Sequence, residues 1–248
     1  MKRPLPSAKR ESRDRKTRRQ RGACRSMASV VMMGATGAVG GQALQRLLDM
    51  PEVAQVTVLG RRPVAVTHPK LSQHVVDLED AASYAGLLAG HQVAICTLGV
   101  GQPTKVTREE FKRVDHDIPL AFATACSKAR VGRFVLLASV GSDATSRSYY
   151  LRGKGQLEDG LRALKFNGLS LFHPSMILTP GNRYGWSQGL MLAVWPKLHP
   201  IMVGSLRRFR GIAVEVLGRA IAQSAIATGQ GEEVLEWEAI RRRAKFEA

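Results

Sequence analysis

MMGATGAVGGQAL, Met32 to Leu44, decides the fold. An apolar run ends at Met33, a helical pattern begins at Ala38, and Gly34, Gly37, Gly40 and Gly41 crowd the junction. Glycine weakens strands and helices alike, so four together indicate a backbone that turns tightly or lies against something. Gly34, Gly37 and Gly40 form G-x-x-G-x-x-G between a strand and a helix, the context that gives this spacing its meaning. Gly34 permits the turn, Gly37 lets the backbone approach a pyrophosphate, and Gly40 lets the helix pack closely on the strand. The free N–H groups at the helix start then face the phosphate charge. A glycine loop that only turns the corner is the plainer alternative.

Outward from this stretch the pattern is regular. Ser29–Met33 reads as a buried strand and Ala38–Met50 as a helix with Leu44, Leu47 and Leu48 on one face, ended by Pro51. Strands follow at Gln55–Leu59, His74–Val76, Val93–Leu98, Arg133–Ala138 and Gly168–Phe172, which makes six in all. Helices are predicted over Asp80–Ala89, Thr107–Arg130 (interrupted or bent near Pro119), Ser148–Leu164, Gly185–Val194, Ala213–Thr228 and Glu233–Lys245. Short apolar strands alternating with helices imply an α/β fold, a Rossmann-type doubly wound parallel sheet with helices on both faces. Residues 27–248 read as one domain with no internal repeat, its last third forming a cap for a substrate or partner.

Residues 1–26 differ. They hold eleven lysines and arginines against Glu11 and Asp14, a net +9 of the chain's +17. With almost no large apolar side chains this tail is expected to be disordered. It reads as a nucleic-acid or membrane-surface binder, as a targeting segment built on Arg18-Arg19, or as sequence upstream of a start at Met27. The compositional break at Met27 favours the last. Elsewhere basic and acidic groups are interspersed, which argues against nucleic acid as a partner of the folded part. The longest apolar stretch, Gly189 to Gly204, is broken by Pro196, Lys197, His199 and Pro200 and falls short of the ~18 residues of a membrane span. Cys24, Cys96 and Cys126 are an odd number without C-x-x-C spacing, so neither a disulfide framework nor a zinc site is expected, and a reducing, cytoplasmic location fits. His173 and His199 read as isolated, not as metal ligands.

An NAD site ordinarily ends its second strand with a carboxylate for the ribose 2′-OH. Here the strand ends VTVLG and continues Arg61-Arg62. Two guanidiniums suit a 2′-phosphate, so NADP(H) is preferred over NAD(H); solvated surface charge is the alternative. Asp77, beside Leu78 just past the third strand, is placed to accept from an adenine amino group or to cap the next helix.

Tyr150 and Lys154 form Y-x-x-x-K on a predicted helix, four apart and so on one face. A phenol has a pKa near 10, and an ammonium one turn away favours its ionised form. Lys154 also reaches ribose hydroxyls. Tyr149 does not compete, because Gly153 lies four residues on. Ser139 follows the fifth strand, where ligands sit in this fold, and can polarise a carbonyl; an ordinary loop hydroxyl is the alternative, as for Ser142.

Together GATGAVG, GRR, VVDLED, CTLG, LLASVGSDATSRSYYLRGKGQLE and FHPSMIL, spread over Ser29 to Asn182, resemble the short-chain dehydrogenase/reductase superfamily. More narrowly they resemble its atypical, NADP-binding branch, that of the Tat-interacting, oxidoreductase-like proteins. The resemblance implies a nucleotide on Gly34, Ala35, Thr36, Gly37, Ala38, Val39 and Gly40, with Arg61 and Arg62 near the 2′-phosphate. It implies Asp77, Leu78, Thr97, Leu98 and Gly99 along the cofactor, Ser139, Tyr150 and Lys154 in the catalytic positions, and Pro174 bordering the nicotinamide. Two departures stand out. The superfamily's relay Asn after strand four corresponds to Asp115, and its Arg-Pro-Gly after strand six is His173-Pro174-Ser175 here. The stretch from Met176 to Arg210, with Arg183, Tyr184, Trp186, Trp195 and LRRFR at 206–210, forms a substrate cap, a lid or a dimer surface.

The leading expectation is an NADPH-dependent oxidoreductase acting on a carbonyl or alcohol, a monomer or homodimer. The alternatives are a non-catalytic NADPH-sensing protein with a protein partner, and a nucleic-acid binder acting through the tail.

Overall fold

A computed structural model describes residues 27–179 and 202–245. The tail, the predicted helix at Gly185–Val194 and the residues Arg183, Tyr184, Trp186, Trp195 and His199 lie outside them.

The strands are β1 (Ala28–Met33), β2 (Val53–Gly60), β3 (Leu71–Val75), β4 (Val93–Cys96), β5 (Arg133–Leu137), β6 (Gly168–Phe172), β7 (Ile177–Leu178), β8 (Ile212–Ala213) and β9 (Gly231–Leu235). Seven form one sheet in the order β3-β2-β1-β4-β5-β6-β9, with every neighbouring pair parallel. The order reverses between β1 and β4, which opens a crevice at the carboxyl ends of those strands. β7 and β8 pair separately.

Side chains of the central strand alternate between two cores, as a pleat requires. Val30 and Met32 of β1 face α1 (Ala38–Asp49), α6 (Val214–Ala225) and α7 (Trp237–Lys245), where Leu44, Leu47, Ile221 and Ile240 complete the packing. Val31 and Met33 face α2 (Ala82–Ala85), α4 (Ile118–Lys128) and α5 (Tyr149–Ala163), among Tyr84, Phe122, Leu157 and Leu161. All four β1 side chains are fully buried, hence the unbroken apolar run in the sequence. The crossing of α1 and α6 is close enough that a Cβ on Gly218 would stand 2.5 Å from Gln42 Cβ.

Two expectations are corrected and a third is made specific. The predicted helix at Glu233–Lys245 begins instead with β9, and α7 starts at Trp237. Glu233 enters the sheet because Ser170 donates to its Oε1 at 2.7 Å and Arg243 to its Oε2 at 2.5 Å. The helix expected over Asp80–Ala89 is a single turn, α2. The interruption expected near Pro119 is present: the stretch over Thr107–Arg130 divides into α3 (Arg108–Lys112), a π-helical turn at Arg113–Asp117, and α4. Pro119 brings no N–H to the carbonyl of Asp115 and its ring crowds it, and the wider turn just ahead of it relieves that conflict. Thr107 caps α3 by accepting from the Glu110 amide at 3.1 Å.

Candidate nucleotide-binding and active site

The glycine turn is built as its spacing predicts. Gly34 has φ +90, and a Cβ on it would lie 2.6 Å from the Thr97 carbonyl carbon. A Cβ on Gly40 would stand 2.1 Å from the Gly34 oxygen. Gly37 is the N-cap of α1, its amide bonded to Gly34 O at 2.9 Å, and helical bonding begins with the Gly41 amide on Gly37 O at 2.9 Å. The amides of Ala38, Val39 and Gly40 therefore precede the first helical donor and have no acceptor within the helix. Thr36 and Gly37 are exposed, whereas Ala35 and Val39 are buried beneath them.

A cleft of about 390 Å³ opens beside this turn, lined by Gly34, Thr36, Gly60, Arg61, Arg62 and Leu98, with Ala35 and Leu78 in its wall. Arg61 and Arg62 are both exposed, and neither forms an ion pair among the described residues. Asp77 is exposed, and its Oδ1 accepts from the Glu79 amide at 2.9 Å. It does not cap α2, whose N-cap position is Ala81; Asp80 Oδ1 accepts from the Ala82 amide at 2.9 Å in the turn just ahead of that helix.

Thr97, Leu98 and Gly99 run from the glycine turn toward α5. Thr97 bonds to β1 through its amide and hydroxyl, both donating to Met33 O, at 3.0 and 3.2 Å. Its hydroxyl also occupies the space that a Cβ on Gly34 or Gly40 would need, so Thr97 shapes the turn from beneath. At the other end of the strip, a Cβ on Gly99 would be 2.9 Å from Asp115 Oδ1 and 3.7 Å from Lys154 Nζ.

Lys154 lies on α5 and is almost wholly buried, its Nζ 2.8 Å from Asp115 Oδ1. Asp115 Oδ2 accepts from the Val100 amide at 2.7 Å. Burial alone would depress the Lys154 ammonium. The Asp115 carboxylate, and after it the Tyr150 phenol, outweigh burial and hold Lys154 above its ordinary value. Tyr150 is half-buried near the start of α5, its ring 5.4 Å from that of Phe111. Neighbouring Tyr149 turns elsewhere, donating its hydroxyl to Arg108 O at 2.6 Å.

Ser139 sits in the loop after β5. Its hydroxyl makes only a long bond, 3.5 Å, to Val140 O, while Ser142 Oγ donates to Ser139 O at 2.7 Å. The loop is tied to the end of β6 by the Val140 amide on Pro174 O at 3.0 Å. It also folds onto α5, where a Cβ on Gly155 would meet the Ala144 amide nitrogen at 2.2 Å. Ser139, Pro174 and the first turns of α5 are thus linked at the carboxyl ends of β5 and β6.

His173 is not isolated. Its Nε2 lies 2.8 Å from Glu158 Oε1, both groups are buried, and Arg162 Nη2 is 3.3 Å from Glu158 Oε2. Sequence reading missed this pair. The available signal was spacing: Tyr150, Lys154, Glu158 and Arg162 recur every fourth residue along one face of α5.

A glycine turn at the first strand–helix junction of a parallel sheet, beside the point where strand order reverses, defines the dinucleotide-binding class of Rossmann proteins. The chain belongs to the NAD(P)H-binding family, whose model matches residues 34–168. Protein HTATIP2 of Rattus norvegicus is 32% identical over 216 residues, covering 86% of this chain and 87% of its own. Protein fmp52, mitochondrial, of Emericella nidulans is 30% identical over 157 residues, 61% of this chain and 67% of that protein. Among solved structures, MoeE5 in complex with UDP-glucose and NAD matches with TM-score 0.64 at 17% identity, over 84% of this chain and 75% of its own. The Bordetella bronchiseptica enzyme WbmH in complex with NAD+ gives TM-score 0.62 at 18% identity, over 85% and 75%. At such identities the structural likeness establishes the fold. The family match and the HTATIP2 relative bear out the resemblance to the short-chain dehydrogenase/reductase superfamily, and the protein is a nucleotide-binding one. No helix among the described residues is long and apolar enough to cross a membrane.

Proposed function

We propose that this protein is an NADP(H)-dependent reductase of a carbonyl, or in reverse an oxidant of an alcohol, with Ser139, Tyr150 and Lys154 as its catalytic residues. The observation that carries the reading is the strip Thr97–Leu98–Gly99. It touches the glycine turn at one end and the Lys154–Asp115 pair at the other, and so joins a phosphate cradle to a proton donor.

The residues suit the nucleotide. The space at Gly34 is closed to any Cβ, and the amides of Ala38, Val39 and Gly40 at the helix start have no acceptor within the helix, which favours a pyrophosphate. Arg61 and Arg62, on the cleft and without an ion pair among the described residues, supply charge-assisted donors for a 2′-phosphate and support NADP(H) over NAD(H). Leu78 and Leu98 offer apolar walls for an adenine, and buried Pro174 would border the nicotinamide. When bound, the nicotinamide supplies or takes up hydride. Tyr150 donates its hydroxyl proton to the substrate oxygen, which leaves as the alcohol. Lys154, fixed by Asp115, places a positive charge beside the resulting phenolate and stabilises it. Ser139 holds the substrate oxygen by a hydrogen bond.

Fluorescence titration with NADPH and NADH tests the binding half, and a panel of carbonyl compounds tests turnover. Tight NADPH binding with turnover abolished in Tyr150→Phe is expected. Nucleotide binding with no turnover across the panel would replace this reading with that of a nucleotide-sensing protein.

A further inference from the structure

Asp115 is a carboxylate where the superfamily that the sequence resembles carries an amide. It is 2% exposed and lies in the π-helical turn before α4. That turn and α3 press on α5 through two residues four apart. Phe111 packs on the Tyr150 ring at 5.4 Å and fills the notch at Gly153, where a Cβ would come within 2.9 Å of its ring. Asp115 meets Lys154 one turn further along each helix, its Oδ1 on Nζ at 2.8 Å. Its second oxygen accepts the Val100 amide at 2.7 Å, so one carboxylate ties α5 to the loop after β4. Gly99 is the residue of that loop that must remain without a Cβ to admit the pair.

Resting on the assignment of Lys154 to the active site, we infer that Asp115 is a positioning residue: the buried counter-ion that keeps Lys154 charged and aims it at the loop under the nicotinamide half of the site. A desolvated ammonium without a partner gives up its proton far more readily than one in water. An amide at this position would accept a hydrogen bond but would not compensate the charge. The other titratable groups acting on Lys154 are Tyr150 on the same helix and Cys96 at the end of β4. Glu158, one turn along α5, is committed to His173 and Arg162. Asp115 is therefore the one carboxylate in contact with Lys154 among the described residues. Removing one member of a buried pair strands the other charge, whereas removing both strands none.

That asymmetry gives the test. Urea unfolding midpoints of the full chain are measured from neutral to alkaline pH for the wild type, Asp115→Asn, Lys154→Met and the double variant. Asp115→Asn should show its largest deficit at neutral pH, shrinking as pH rises. Its folded state would hold an uncompensated ammonium that binds protons less readily than the unfolded chain. The double variant should be more stable than Asp115→Asn, with a deficit that does not vary with pH. In parallel, NADPH affinity of Asp115→Asn should fall about tenfold between neutral and alkaline pH, while wild-type affinity changes little. A deficit equal at every pH, or a double variant no better than Asp115→Asn, would reduce Asp115 to packing and overturn the inference. Should wild type fail to bind NADPH, the nucleotide reading falls, and the unfolding series still decides the role of Asp115.

Discussion

His173 Nε2 and Glu158 Oε1 stand 2.8 Å apart inside the protein and join the end of β6 to the middle of α5. Pro174, proposed to border the nicotinamide, is the next residue after this anchor, and Lys154 lies one helical turn before it. Two backbone segments that must be held in register at the site are thus pinned by one polar contact. Glu158→Ala removes it and strands buried His173, while Arg162 keeps Asp159 and Glu232. A loss of about 1–3 kcal/mol is expected by urea unfolding, from the unpartnered imidazole. A loss under about 0.5 kcal/mol would make the contact ornamental.

Two adjacent glycines should respond oppositely. A Cβ at Gly40 would sit 2.1 Å from the Gly34 carbonyl oxygen, backbone that cannot swing away, whereas one at Gly41 meets only Ala35 O at 3.5 Å. Gly40→Ala is expected to cost about 2–4 kcal/mol and to weaken nucleotide binding by opening the turn. Gly41→Ala, inside a helix, is expected to be neutral or to stabilise by up to about 1 kcal/mol. Thermal unfolding of both variants checks the contrast.

If the exposed guanidiniums at the end of β2 grip a 2′-phosphate, their loss should discriminate between nucleotides. Arg61→Ala and Arg62→Ala are each expected to raise the Kd for NADPH about tenfold or more, and together about a hundredfold, with the Kd for NADH changing less than about threefold. Equal weakening of both nucleotides would remove the arginines from the 2′ position.

Acid should loosen the last strand of the sheet. Burial raises the Glu233 carboxyl, but the bonds from Arg243 and Ser170 outweigh it and hold Glu233 below its ordinary 4.5. A folded value below the unfolded one makes the unfolded state the better proton binder in that window, so stability rises with pH. The contribution is complete above about pH 4.5 and is lost as pH falls through the folded value. Glu233→Gln should lower the urea midpoint at neutral pH and flatten its decline between about pH 5 and pH 3. A decline as steep as in the wild type would assign the acid sensitivity to other carboxylates.

Much of this architecture is legible in the chain because the central strands are buried on both faces and read as apolar runs, as in SVVMM and GLSLF. β9 escaped because GEEVL carries two carboxylates. What admits Glu233 to the sheet is Arg243 from α7 and Ser170 from β6, partners that no local pattern names. The shortness of α2 was hidden by helix-forming residues between Asp80 and Gly90, while Asp77 and Asp80 turn the chain with their own side chains. At the site, the glycine spacing and Y-x-x-x-K were readable because each is local. Asp115 was visible only as a departure, and its partners, Lys154 and Val100, come from different parts of the chain. His173 looked solitary for the same reason, since Glu158 meets it only once β6 and α5 have packed.

The parallel pairing of β6 with β9 has a consequence for biogenesis. Gly168–Phe172 is buried along its whole length, yet the neighbour that covers its outer edge is synthesised long after it, beyond the whole of α6. Until that segment leaves the ribosome, a nascent chain presents a greasy open border to any other polypeptide nearby, and release of the C-terminal segment is what closes it.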